Sequence, residues 1–216
     1  MFQNRKDAGR RLAAELAGFK GQDCMVLALP RGGVPVAAEV AAALNAPLDL
    51  LLVRKIGAPW HPELAVGAVS DGGDPITVRD ADTMRQTGTS DAAFEAARLR
   101  ELHEIERRRV FYLGARAPVA LEGRIAIVVD DGLATGNTMR VALAAARRRG
   151  PGLLVMAVPV APAEIIPTFR GEADRVVCLE MPKHFVAVGN FYRDFEQTCD
   201  EEVIALLGVR SSARGA

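Results

Sequence analysis

Cysteine is scarce in this chain of 216 residues, which contains three thiols. Cys24, Cys178 and Cys199 lie far apart, are odd in number and show no Cys-x-x-Cys spacing. These features argue against a disulfide framework and against a zinc site, and they are typical of reduced thiols in a cytoplasmic protein. We therefore expect all three cysteines to be buried or bystander residues.

An excess of charge of either sign is also missing, because 27 lysines and arginines balance 27 aspartates and glutamates. This balance excludes a nucleic-acid binder that works through a globally basic surface, and it excludes a protein with an acidic disordered tail. The basic residues near the N-terminus, among them Arg5 and Arg10, resemble part of a transit peptide. Asp7 and Glu15 interrupt them and no apolar stretch follows, so we predict an ordinary amphipathic helix there.

Long hydrophobic runs are absent as well. The longest apolar stretches, residues 34–53 and 153–161, are broken by charged residues and prolines before they reach the ~20 residues that a membrane span requires. Hydrophobic residues nevertheless make up 50% of the chain, which is a usual fraction for a protein with a packed core. We expect a cytoplasmic protein without a membrane partner, folded as a single domain over residues 1–216.

Short apolar runs alternate with helical patterns along the chain, and this order is typical of an α/β fold in which helices flank a parallel sheet. The predicted strands cover residues 25–29, 48–53, 124–129, 152–160 and 174–180, and the predicted helices cover 34–44, 90–112, 137–149, 163–169 and 199–207. Residues 54–75 are rich in glycine and proline, so we predict a long loop with a short strand or hairpin at 64–69. Loops of this length serve as lids or are disordered. The basic run Arg107–Arg109 is predicted to form a solvated helix face.

The most informative segment is Val128–Thr138, in which an apolar strand is followed by Asp130-Asp131, a Gly/Thr turn and a helix. Open α/β sheets bind ligands at such strand ends. Glycines and a helix N-terminus favour a phosphate group, and two carboxylates beside that group favour hydroxyls or a metal. The spacing from Gly132 to Gly136 excludes a P-loop, and the dinucleotide and nucleophile-elbow motifs are absent. The pattern therefore predicts a ligand with a phosphate and a diol, such as a ribose 5-phosphate.

Val128–Thr138 resembles the phosphoribosyl pyrophosphate (PRPP) motif of the type I phosphoribosyltransferases, which has an apolar strand, two acids, two variable residues, a small residue and Thr-Gly-x-Thr. The resemblance implies a Rossmann-like parallel sheet flanked by helices, with a core of about residues 20–180 and a small C-terminal hood at about 181–195. It implies that Asp130 and Asp131 are the catalytic acids that contact the ribose hydroxyls. The implied ligands of the 5-phosphate are Gly132, Leu133, Ala134, Thr135, Gly136, Asn137 and Thr138. A solvated Asp-Asp turn is the plain alternative.

A second element agrees with this resemblance. The family binds pyrophosphate on a short loop after its first strand, and Leu29–Pro35 lies there in this sequence. Gly32 and Gly33 permit close approach of the backbone, and Arg31 would pair with the anion. Further pyrophosphate ligands, at the predicted end of the second strand, would be Arg54 and Lys55. A plain strand-to-helix turn and a solvated strand end are the alternatives.

Two further segments match the family by position. The loop that contains Trp60, His61 and Glu63 resembles the lid that closes over PRPP, and His61 is either a general base or an idle exposed residue. The segment 181–194 resembles the hood that binds the base in the hypoxanthine-guanine enzymes. Phe185 would then stack on the base, and Val186 would read its edge through the backbone. A hydrophobic loop that plugs the edge of the core fits this segment nearly as well.

The resemblance implies a Mg²⁺-dependent enzyme that transfers the phosphoribosyl group of PRPP to a nitrogen acceptor, such as a nucleobase, with release of pyrophosphate. Mg²⁺ would be held by substrate and water rather than by direct protein ligands. The implied partners are PRPP, a small acceptor and a second copy of the chain in a homodimer, with no nucleic acid.

Ala134 stands where the hypoxanthine-guanine enzymes have an aspartate. The sequence of the hood segment differs from that of the adenine enzymes. The chain therefore looks most like a bacterial branch of the family whose acceptor is undefined. The alternative function is a non-catalytic regulator that senses PRPP or a nucleotide with the same pocket.

Overall fold

The computed structural model describes residues 1–71, 75–116 and 119–208. Residues 72–74 of the predicted loop and residues 117–118 and 209–216 of the predicted domain lie outside the described residues. In the described ranges the strands are β1 (Cys24–Ala28), β2 (Leu48–Leu50), β3 (Val53–Ala58), β4 (His61–Ser70), β5 (Thr77–Arg79), β6 (Ile125–Val129), β7 (Leu153–Val160) and β8 (Arg175–Glu180). The helices are α1 (Arg5–Glu15), α2 (Gly33–Leu44), α3 (Ala81–Thr87), α4 (Asp91–Leu113), α5 (Asn137–Arg148) and α6 (Asp200–Leu206).

Five of the described strands form a parallel sheet in the order β2-β1-β6-β7-β8. β1 and β6 lie side by side in its interior, with Val26 opposite Ile127. Both strands are apolar along their length, as strands that are covered on both faces must be. Val26 and Ile127 pack in the core shared with α1 and α2, whereas Leu27 and Val128 pack in the core shared with α5. The predicted α/β fold with a parallel sheet flanked by helices is confirmed.

Several predicted boundaries hold because local chemistry sets them. Ser90 begins α4, and its hydroxyl accepts a hydrogen bond from the N–H of Ala93 at 3.2 Å, which is a favoured N-cap arrangement. Asn45 ends α2 in the left-handed conformation, at φ 54°. The helix predicted over 163–169 is instead one short 3₁₀ turn, Ile166–Phe169.

The prediction of one strand over 48–53 and of a long loop over 54–75 is wrong, although the short strand or hairpin predicted at 64–69 lies within β4. β2 ends at Leu50, and Val53 begins a separate antiparallel sheet in the order β3-β4-β5. The chain changes sheets where the N–H of Leu52 donates to the carboxylate of Asp71 at 3.1 Å. The glycines in this region allow close strand contact rather than a loop, because a Cβ at Gly67 would overlap the carbonyl oxygen of Val78.

The basic run on α4 is only partly a solvated face. Arg107 and Arg108 each donate to Glu104 at 2.7 Å, and these bonds lower the pKa of Glu104 to about 2. Arg109 instead donates to Asp71 at 3.2 Å, and the two side chains are only 11% and 4% exposed. The prediction is therefore wrong for Arg109, which joins α4 to the second sheet.

The N-terminal segment forms one cluster with the hood. Phe2 is fully buried against Tyr192, with ring centroids 5.3 Å apart. The N–H of Phe2 donates to the carbonyl of Phe191 at 2.7 Å, and the N–H of Arg193 donates to the carbonyl of Phe2 at 2.9 Å. These contacts fix α1 beside the hood. No helix within the described ranges combines the length and apolar character needed to cross a membrane.

Candidate active site

Two loops meet at the carboxyl ends of β1 and β6. The N–H of Leu29 donates to the carbonyl of Val129 at 2.9 Å, which extends the pairing of the two strands by one residue. A Cβ on Gly32 would overlap Oδ2 of Asp131, and a Cβ on Gly33 would lie 2.9 Å from Cα of Asp130. Glycine is therefore required at both positions, because any side chain would push into the acid pair. The Pro30–Arg31 peptide in the same loop is cis.

The two acids are partly enclosed at this junction. The N–H of Asp131 donates to Oδ1 of Asp130 at 2.8 Å. Burial raises the pKa of Asp130 well above its ordinary value, and the neighbouring Asp131 carboxylate adds to this effect. Burial also raises the pKa of Asp131, but the guanidinium of Arg5 opposes that rise. The two carboxyl groups therefore resist being ionised together, and a bound cation would favour their ionised forms.

Arg5 contacts Asp131, although no signal in the sequence pointed to Arg5 as part of the site. Its Nε donates to Oδ2 of Asp131 at 2.7 Å, and its Nη1 donates to the carbonyl of Glu196 at 2.6 Å. The guanidinium also lies 3.8 Å from the ring centroid of Phe195. Arg5 begins α1, and in the sequence it is one of several basic residues with no spacing signal that separates it from its neighbours. Tyr192 adds a second hood contact, since its hydroxyl donates to the backbone carbonyl of Asp131 at 2.6 Å.

The turn from Gly132 to Thr138 leads from the acids into α5. Leu133 is buried, and its N–H donates to the carbonyl of Val160 at 2.9 Å, so it anchors the turn. Gly136 precedes α5 with φ 75°, and a Cβ there would lie 2.7 Å from the ring of Phe169. Ala134, Thr135 and Asn137 are exposed, whereas Thr138 is half-buried. Because the first amides of a helix have no helical acceptor, the start of α5 offers N–H donors to an anion.

Arg31 lies on the outer side of the glycine loop. It is 3.5 Å from the carboxylate of Asp200, which also accepts a hydrogen bond from the hydroxyl of Tyr112 at 2.5 Å. These residues, together with Pro30, Arg107, Arg108 and Phe111, line a cavity of about 260 Å³. Arg31 is therefore held beside an open, basic pocket next to the glycine loop.

The other two predicted pyrophosphate ligands are on β3 rather than at the end of β2. Arg54 donates to Glu101 of α4 at 2.7 Å, so its guanidinium is already paired. Lys55 is exposed and shares a cavity of about 240 Å³ with Asn137 and Arg140 of α5. The structure thus brings Lys55 to the start of α5 rather than to the glycine loop.

The remaining predicted residues lie in the hairpin and the hood. His61 is exposed opposite Ala58 at the tip of the β3-β4 hairpin, next to Trp60, which is 86% exposed. Phe185 stacks on Phe191, with ring centroids 5.6 Å apart and an interplanar angle of 15°. Val186 is 82% exposed. A lid function for the hairpin and a base-binding function for Phe185 and Val186 stay predictions.

The fold and this site define an α/β protein with a glycine loop and an acid-pair turn on adjacent strands. The family model described as phosphoribosyl transferase domain matches residues 2–196, and the chain belongs to that family.

Individual relatives agree with this assignment. Proteins from two strains of Mycobacterium tuberculosis, provisionally named phosphoribosyl transferases, are each 49% identical to the chain over 207 residues. These matches cover 96% of this chain and 46% of each relative, so the chain spans about half the length of the curated relatives it matches. The crystal structure of TT1426 from Thermus thermophilus is 41% identical, with a TM-score of 0.82, over 96% of this chain and 97% of that one.

Proposed function

We propose that this chain transfers the phosphoribosyl group of PRPP to a nitrogen acceptor and releases pyrophosphate. The observation that carries the proposal is the direct contact of the glycine loop with the acid pair, at Gly32 and Asp131 and at Gly33 and Asp130. A glycine loop offers backbone N–H groups to a diphosphate, and carboxylates accept hydrogen bonds from ribose hydroxyls. PRPP carries both groups on one sugar, so its ribose and pyrophosphate match the two loops.

The start of α5 suits the 5-phosphate of the same ligand. The exposed turn residues Thr135 and Asn137 precede or begin a helix of 12 residues, whose N-terminus favours an anion. Lys55 beside Asn137 adds positive charge at this end, whereas the guanidinium of Arg140 is paired with Glu172. In this arrangement Lys55 is a ligand of the 5-phosphate end, and Arg31 is a ligand of the pyrophosphate.

The reaction breaks the bond between ribose C1 and the pyrophosphate oxygen, whose electron pair leaves with pyrophosphate, and it forms a bond from C1 to the acceptor nitrogen. The proton of the acceptor nitrogen passes to water or to the released pyrophosphate. The chain contributes by holding both ends of PRPP and by placing the positive charge of Arg31 where pyrophosphate charge develops. No nucleophilic side chain is needed.

The acid pair also fits a requirement for Mg²⁺. In the described residues no group of three or more His, Cys, Asp and Glu side chains is arranged to hold a metal ion. Mg²⁺ binds through a few carboxylates together with substrate phosphates and water, so Asp130 and Asp131 would hold it through the ribose hydroxyls and water. When bound, Mg²⁺ would neutralise charge on the pyrophosphate.

The hood is the proposed acceptor site. Phe185 is half-buried and stacked on Phe191, so the pair presents a flat aromatic surface at the edge of the hood. Flat rings stack well on such a surface, which favours a nucleobase as the acceptor.

Product analysis by mass spectrometry tests the proposal. The protein is incubated with PRPP, Mg²⁺ and a panel of purines, pyrimidines and small metabolites. The double variant Asp130→Asn/Asp131→Asn should make at least ~100-fold less of any new ribonucleotide, because interactions with a developing charge are worth this much. Asp91→Asn is the matched control, since its side chain is 86% exposed and lies on α4.

A new ribonucleotide that the double variant fails to make would support the transferase and identify its acceptor. Mg²⁺-dependent binding of PRPP without any product would favour the sensing function. A protein that neither binds nor consumes PRPP would contradict both.

A further inference from the structure

The two acids of the pair, Asp130 and Asp131, have different surroundings. Asp131 has a guanidinium on one carboxylate oxygen, through the 2.7 Å bond from Arg5, and the side chains are 14% and 12% exposed. Hydrogen bonds from arginine to a carboxylate at this distance are among the strong ones, and partial burial reduces their screening by water. The carboxylate of Asp131 is therefore fixed in one orientation before any ligand binds.

Arg5 is itself held from three sides. Its Nη1 bonds the carbonyl of Glu196 at 2.6 Å, its guanidinium covers the ring of Phe195 at 3.8 Å, and its backbone begins α1. Asn4 caps this helix by accepting from the N–H of Asp7 at 2.9 Å. Moving the Arg5 side chain out of the site would break all of these contacts at once, so we treat its guanidinium as a fixed part of the site.

We propose that Arg5 is a positioning residue that holds Asp131 by Oδ2, so that Oδ1 is the oxygen offered to a ribose hydroxyl. The proposal rests on the proposed function, because it assigns how one of the two acids is oriented toward the ribose. It also gives the N-terminal helix and the hood a direct link to the ribose site.

Other polar groups near Asp131 do not duplicate this contact. Asp130 is a neighbouring acid whose carboxyl group hydrogen-bonds that of Asp131 but brings no positive charge, and Tyr192 bonds the backbone carbonyl of Asp131 rather than its carboxylate. Glu180 lies farther along the hood side, where its carboxylate accepts from the N-terminal ammonium at 3.0 Å. Within the described residues, Arg5 is thus the cation that donates a hydrogen bond to the Asp131 side chain.

The test measures binding of ribose 5-phosphate and of PRPP with Mg²⁺ by isothermal titration calorimetry. Arg5→Gln keeps most of the side-chain length and removes the charge, so its affinity for ribose 5-phosphate should fall about tenfold or more, the expected cost of a charged hydrogen bond. Arg5→Lys restores the charge without the planar fork, so its affinity should lie between those of the wild type and Arg5→Gln. Arg10→Gln is the matched control on the same helix, because its side chain is 60% exposed.

The variant Tyr192→Phe distinguishes a purely structural role of the contacts at Asp131 from a role in orienting its carboxylate. It removes the hydrogen bond from the hood to the backbone of Asp131 and leaves the contact between Arg5 and the carboxylate intact. We expect this variant to melt at a lower temperature and to keep its ribose 5-phosphate affinity within about twofold, since one neutral hydrogen bond affects stability by ~1 kcal/mol. Wild-type affinity in folded Arg5→Gln would overturn the inference. So would equal losses of affinity in Arg5→Gln and Tyr192→Phe. Failure of the wild type to bind either ligand would instead overturn the proposed function, and this inference with it.

Discussion

Replacement of Gly33 by alanine tests the contact between the glycine loop and the acid pair. A Cβ at this position would lie 2.8 Å from the carbonyl oxygen of Val129 and 2.9 Å from Cα of Asp130. Both atoms belong to the backbone, so no side-chain rotation relieves the contact. Overpacking of this kind costs ~1–3 kcal/mol, whereas alanine in a helix is favoured over glycine by ~0.5–1 kcal/mol. The middle values of these two ranges leave a loss of about 1 kcal/mol in the free energy of unfolding.

Thermal unfolding followed by circular dichroism measures this loss. For a chain of this size we expect the midpoint of Gly33→Ala to fall by about 2–5 °C. Gly18→Ala is the matched control, because a Cβ there meets nothing within 4 Å. Its stability should stay unchanged or rise by up to ~1 kcal/mol. If Gly33→Ala melted at or above the wild-type temperature, the described contact between the two loops would be refuted, and the proposed function would lose its main support.

Three further predictions concern single side chains. Burial raises the pKa of Asp71 to about 6 from 3.8, so its stabilising contribution is present below pH 3.8 and is lost as the pH rises through 6. In urea unfolding, the stability of the wild type relative to Asp71→Asn should therefore fall by up to about 3 kcal/mol between pH 4 and pH 7, and a constant difference would contradict this. Arg31→Gln should raise the KM for PRPP about tenfold or more, because a charged hydrogen bond to the ligand is lost. The melting temperature should stay unchanged, because the ion pair between Arg31 and Asp200 is partly exposed. Steady-state kinetics and thermal melting check the two results. Phe185→Ala should raise the KM of the acceptor and leave that of PRPP unchanged, and an equal rise in both would exclude a specific acceptor role for the Phe185–Phe191 stack.

The sequence was sufficient for the elements whose signals are local. β1 and β6 could be predicted because each is a short apolar run, and α4 could be placed because Ser90 is a strong N-cap. The family follows from Val128–Thr138 in the same way, since strand, acids, turn and helix are contiguous. In these segments the residues that determine the structure are neighbours in the chain.

The second sheet could not be predicted by the same reasoning. Leu51 and Leu52 are both buried, so the apolar run shows no break where the chain leaves β2. The break is set by Asp71, which binds the N–H of Leu52 from a distance of 19 residues. Glycine and proline within β3 and β4 suggested a loop. In the structure, Gly57 and Gly67 are needed within the strands, because a Cβ at either position would overlap a backbone carbonyl oxygen of the neighbouring strand. Propensity alone does not contain this packing information.

The contact of Arg5 with Asp131 shows a stronger limit of local reasoning. The two residues are 126 positions apart, and their meeting depends on the parallel sheet, on α1 and on the bridge between Phe2 and Tyr192 in the hood. In the sequence, Asp130 and Asp131 are two equal acids. In the structure, the side chain of Asp130 accepts a backbone N–H, whereas the side chain of Asp131 is held by a guanidinium. Because a charged partner fixes one acid and not the other, their contributions to ligand binding should differ, although the motif presents them as a pair.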